Sequence, residues 1–61
     1  MNKWEVTAEL NMDASNIKSI IVKANTQRKA SIIAEDKLKK DGAFFVRIEH
    51  IKKMEENNVH S

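Results

Sequence analysis

The sequence predicts an α+β fold with the order strand, strand, helix, strand. Three observations carry it. Lys3 to Leu10 alternates polar and apolar residues, the period of a strand with one face buried. Ile17 to Ala24 and Ala43 to Ile51 are rich in β-branched and aromatic residues, which favour extended backbone. Between them, Thr26 to Gly42 sets Ala30, Ile33, Ala34 and Leu38 at helical spacing, so one helix face is apolar.

Each element has its own signals. In the first strand, Trp4, Val6, Ala8 and Leu10 share one face, and Lys3, Glu5, Thr7 and Glu9 the other. Asn11 to Asn16 is a polar loop of turn-forming residues, able to reverse the chain. In the second strand, Ile20, Val22 and Ala24 oppose Ser19, Ile21 and Lys23. Asn25 or Thr26 can cap the helix, and Gly42 suits its stop because it tolerates a left-handed backbone. Lys37, Lys39 and Lys40 complement the negative end of the helix dipole, while Arg28 and Lys29 sit at the opposite end. Glu35 with Lys39, and Asp36 with Lys40, have the acid-before-base spacing of helical ion pairs. Ile32 lies outside the apolar stripe. In the third strand, Phe44, Val46 and Ile48 oppose Phe45, Arg47, Glu49 and Ile51. The pattern of Lys52 to Glu56 fits either an extension of the strand or a helical turn.

If the first loop reverses the chain, the helix returns it so that the third strand runs parallel to the second and can lie beside the first. The first strand lies in the middle, giving an antiparallel sheet of order 2-1-3 with the helix on one face. The expected core is Trp4, Val6, Leu10, Ile20, Val22, Phe44, Val46 and Ile48 under the helix stripe. Trp4 is its anchor, and Met12 and Met54 fill its edges. The element order, with Ala24 before the helix, Ala30 and Leu38 within it and the closing VRIEHIKKMEE, resembles the small β-β-α-β domain of archaeal ribosomal protein LX. The resemblance implies the fold alone. The connection Asp41-Gly42-Ala43 is shorter than that family's and is not basic, so no functional residue is carried over.

Length and composition narrow the class. A chain of 61 residues holds one domain, expected over 1–56 with 57–61 as a frayed tail. With no cysteine it has no disulfide or thiolate metal site, so a small core must be economical or extended by association. Its formal charge of +2 is spread over both signs, unlike the basic stripe of duplex-DNA binders. The lack of a signal-like apolar N-terminus and of a membrane-length apolar run leads to the expectation of a cytoplasmic location.

No constellation for catalysis is visible. Ser15, Ser19 and Ser31 have only His50 and His60 as imidazole partners, and no orienting acid accompanies them. Glu49 and His50 are neighbours in a strand, which sends their side chains to opposite faces. Two histidines without a ligand cluster do not make a metal centre, and a single glycine does not make a phosphate loop. No catalytic residue, cofactor or metal is therefore expected.

The informative surface is the sheet face away from the helix. Ile21, Lys23, Phe45, Arg47 and Ile51 are its candidate interaction residues. An uncovered apolar patch reads first as a contact for another protein or a second copy of the chain. The alternative is RNA or single-stranded DNA, with Phe45 stacking a base and Lys3, Lys23 and Arg47 holding phosphates. Glu5, Glu9 and Glu49 on the same face oppose that alternative. The lysines of the helix end, with Lys52 and Lys53, read as a solvated face.

Overall fold

A computed structural model describes residues 1–54. The strands are β1 (Asn2–Leu10), β2 (Ile17–Ala24) and β3 (Val46–Met54), and the helix is α1 (Gln27–Lys40). Their sheet has the order β2-β1-β3, with β1 antiparallel to both neighbours. The class, element order and strand order are those expected. The end of the domain at residue 56 and the tail 57–61 lie outside the described residues.

The reversal between β1 and β2 is built from two tight turns. Asn11 and Met12 both have left-handed φ angles, 58° and 57°, and the Asp13 N–H donates to the Leu10 carbonyl at 3.1 Å. That combination is the type I′ turn, whose twist matches antiparallel strands. The Asn16 N–H then donates to the Asp13 carbonyl at 2.9 Å, and the Leu10 N–H to the Asn16 carbonyl at 2.9 Å.

Thr26 caps α1, its Oγ1 accepting from the Lys29 N–H at 3.2 Å. At the other end the Gly42 N–H donates to the Lys39 carbonyl and the Ala43 N–H to the Leu38 carbonyl. With φ 116° at Gly42, this is the glycine-terminated helix stop of the Schellman kind. Glu35–Lys39 and Asp36–Lys40 form their ion pairs at 3.1 and 3.3 Å, both exposed and therefore of small value. Ile32 is exposed, as the stripe requires.

The core lies between α1 and one sheet face. Trp4, Val6, Val22, Ala24, Ala30 and Ala34 form one cluster, and Ala8, Leu10 and Leu38 another. Three alanines of the core, Ala8, Ala30 and Ala34, have no exposed surface, so helix and sheet approach closely. Trp4 fills the remaining width, and its Nε1–H donates to the Ala24 carbonyl at 2.9 Å, which satisfies the one polar atom of the ring.

The core differs from expectation at Phe44, Met12, Met54 and Ile51. Phe44 is 75% exposed, not buried. The last inward position of β1 is Leu10, which pairs with Val46; Phe44 would need Met12 as its partner, and Met12 has already turned away. Ala43 packs beside Leu38 instead, next to the helix stop. Met12 is 72% exposed at the turn and fills no core edge; Met54 is likewise on the surface. Strand β3 therefore begins at Val46 rather than Ala43 and continues to Met54, which settles the reading of Lys52 to Met54 as strand.

The difference at Ile51 comes from a bulge. Ala8 pairs with Ile48, but Thr7 pairs with His50 and Val6 with Ile51. The register shift inserts one extra residue, Glu49, opposite an unbroken β1. Beyond it every side chain of β3 changes face relative to simple alternation. Ile51 consequently packs against the core together with Ile48.

Candidate functional site: the uncovered sheet face and its edge

Pairing across the three strands arranges the uncovered face in rows. Ile17, Glu9 and Arg47 make the first, and Ser19, Thr7 and His50 the second. Ile21, Glu5 and Lys52 make the third, and Lys23, Lys3 and Met54 the fourth. Opposite charges face each other between β1 and β3, Glu9 with Arg47 and Glu5 with Lys52, while Lys3 lies opposite Lys23. Its apolar content is concentrated on β2, where Ile17 is 50% and Ile21 47% exposed.

Of the five candidate interaction residues, Ile21, Lys23 and Arg47 lie on this face. Phe45 precedes β3 at the rim, its carbonyl accepting from the Asn11 N–H at 2.8 Å. Ile51 is the correction: the bulge at Glu49 carries it to the helix side, opposite Val6. The same bulge brings Glu49 and His50 to one face, contrary to simple alternation. Glu49 reaches Arg47 at 3.5 Å, and His50 lies opposite the outward-facing Thr7. Arg47 is shared further with Glu9 at 3.9 Å, so its charge is compensated within the chain.

One residue with a structural role in this region was not singled out in the sequence. Asn11 accepts from the Phe44 and Phe45 N–H groups at 2.9 and 3.3 Å through Oδ1. It thereby ties the turn after β1 to the approach to β3. The legible signal was residue type, since asparagine adopts left-handed backbone more readily than most residues.

Backbone direction on the edge follows from two hydrogen bonds. The Leu10 N–H points to Asn16 on the β2 side, and the Asn11 N–H points to Phe45 on the β3 side. Even-numbered residues of β1 therefore bond to β2, and the pairs Ala8–Lys18, Val6–Ile20 and Trp4–Val22 are the hydrogen-bonded ones. The intervening pairs are the non-bonded, closer ones, which fits the Thr7 and Ser19 hydroxyls at 2.8 Å. The peptide groups of Ile17, Ser19, Ile21 and Lys23 consequently point outward from the sheet edge.

The two edges differ. Both carry lysines, Lys52 and Lys53 on β3 and Lys18 and Lys23 on β2, but that of β3 is also interrupted by the bulge, a device that discourages strand addition. That of β2 pairs with β1 without a register break for eight residues and has no proline. Elsewhere, a shallow depression is lined by Glu5, Lys52, Lys53 and Met54. Among the described residues no group of three or more histidine, cysteine or acidic side chains is placed to hold a metal. No described helix is long and apolar enough to cross a membrane.

The architecture and this surface define a small α+β domain of the β-β-α-β type. Comparison of the chain with protein-family models, curated proteins and solved structures finds no match.

Proposed function

We propose that the protein is a non-enzymatic interaction module that self-associates through its sheet. The observation that carries this reading is the pair Ile17 and Ile21. Both are about half exposed, both are on the face that no helix covers, and both are on an outermost strand. A domain of this size gains from hiding such residues, because its own core is small; each Å² removed from water contributes about 25 cal/mol. The centre of the face, with Lys3, Glu5, Glu9 and Arg47, carries both signs of charge, which suits a protein surface better than a phosphate backbone. The nucleic-acid reading loses support further because Arg47 is already engaged by Glu9 and Glu49.

Sedimentation equilibrium tests the proposal. The native chain should show a concentration-dependent dimer. Ile21→Lys should be monomeric, and its fold should persist because the new cation lies opposite Glu5. A native chain that stays monomeric at millimolar concentration overturns the reading.

A further inference from the structure

We infer that two copies of the chain join edge to edge through β2, in antiparallel register about Ser19, to make one continuous six-stranded sheet. The inference rests on the self-association proposed above and specifies its geometry.

Three features converge on this arrangement. First, the outward peptide groups belong to Ile17, Ser19, Ile21 and Lys23, so only odd-numbered residues can form the hydrogen-bonded pairs of a new ladder. Second, centring the two-fold axis on Ser19 sets Ile17 of each copy opposite Ile21 of the other. The two half-exposed isoleucines of one chain then cover those of the second, and each such cross-strand pair is favourable. Moving the axis by one residue, to Ile20, puts Lys23 opposite Ile17 and separates the outward isoleucines. Moving it to Ile21 leaves a single isoleucine pair. Third, the charges are complementary in the Ser19 register. Lys23 of one copy falls opposite Ser15 of the other, where the Asp13 carboxylate accepts from the Ser15 Oγ–H at 2.7 Å and N–H at 3.0 Å. Within its own chain Lys23 lies opposite another cation, Lys3, and makes no ion pair among the described residues. With the pairing continued past Ile17 into the turn, each Lys23 gains one anion, so the dimer has one such contact at each end.

Face-to-face packing lacks these matches, since it would set Glu5, Thr7 and Glu9 of β1 against a second charged surface and desolvate them. The edge of β3 lacks the regular ladder that the same pairing needs, because its bulge breaks the register.

Two variants test the geometry. Ser19→Pro removes an outward N–H while leaving the ladder to β1 whole, since proline is tolerated on an edge strand where its N–H faced solvent. It should be folded by circular dichroism and monomeric at concentrations where the native chain dimerises. Ser19→Cys should form an interchain disulfide on mild oxidation, because a hydrogen-bonded pair on the axis has Cα atoms about 5.5 Å apart. Lys23→Cys is its control, because eight residues of offset separate the two copies' positions by about 27 Å. A folded Ser19→Pro dimer, or a Lys23→Cys disulfide formed as readily as that of Ser19→Cys, overturns the edge geometry and leaves self-association standing. A native chain without any dimer overturns both. If Ser19→Pro does not fold, the disulfide pair decides alone.

Discussion

Met12 occupies a left-handed conformation, φ 57°, at an exposed turn. For a residue with a Cβ that conformation costs about 1–2 kcal/mol, and glycine avoids the clash at an entropic cost of roughly half as much. Met12→Gly should therefore stabilise the domain by about 0.5–1 kcal/mol, read from the midpoint of chemical denaturation. A destabilised Met12→Gly would mean that the methionine side chain makes a contact worth more than its strain. In the next turn, the Ser15 hydroxyl, and after it the Ser15 N–H, hold the Asp13 carboxyl below its ordinary pKa. A depressed carboxylate pKa contributes stability above the unfolded-state value, and that contribution is lost as pH falls through the folded-state value. Ser15→Ala should move the Asp13 titration upward in an NMR pH series, with the change confined to the acidic range. An unmoved titration would show that the hydroxyl is not what stabilises the carboxylate.

Strand β3 shows how one residue governs an element. Glu49 is the inserted residue, and on either side of it the pairing with β1 is regular. Without it, Ile48 would still meet Ala8, His50 would meet Thr7, and Ile51 would meet Val6, with no break in the ladder. A chain lacking Glu49 should consequently fold cooperatively with both isoleucines inward. It should also have a straighter and less protected β3 edge, hence a greater tendency to associate. Cooperative unfolding by circular dichroism and light scattering at rising concentration measure the two effects. Loss of cooperative folding would mean that the bulge itself, through its twist or the Arg47–Glu49 contact, is required.

At the scale of the molecule, the core is a thin layer of small residues spanned by one large one. Trp4 belongs to the same cluster as Ala30 and Ala34 of the helix and Val22 and Ala24 of β2. Its ring also supplies a hydrogen bond to Ala24. Trp4→Ala should cost about 3–5 kcal/mol, comparable with the whole stability of so short a chain. The variant should lack a cooperative thermal transition and disperse its amide NMR signals poorly. A Trp4→Ala chain that unfolds cooperatively near the native temperature would show that the remaining aliphatic contacts suffice.

The sequence by itself determined the α+β class and the four elements. Those features depend on local periodicity, turn residues and caps, each written within a few neighbouring positions: the alternation of Trp4 to Leu10, the Thr26 cap, the Gly42 stop. It also made Ile21, Lys23 and Arg47 legible as outward residues, because no irregularity lies between them and the pairing that orients them. Only the tertiary structure decided the fate of Phe44, Phe45 and Ile51. Whether Phe44 is buried depends on β1 having turned away at Met12, a partner 32 positions earlier in the chain. Whether Ile51 faces the core depends on a bulge that exists only relative to β1. The alternation of a strand describes a chain against itself, and a bulge or a missing partner is a property of two chains side by side; the burial of Ile48 and Ile51 together is the energetic reason this one is retained.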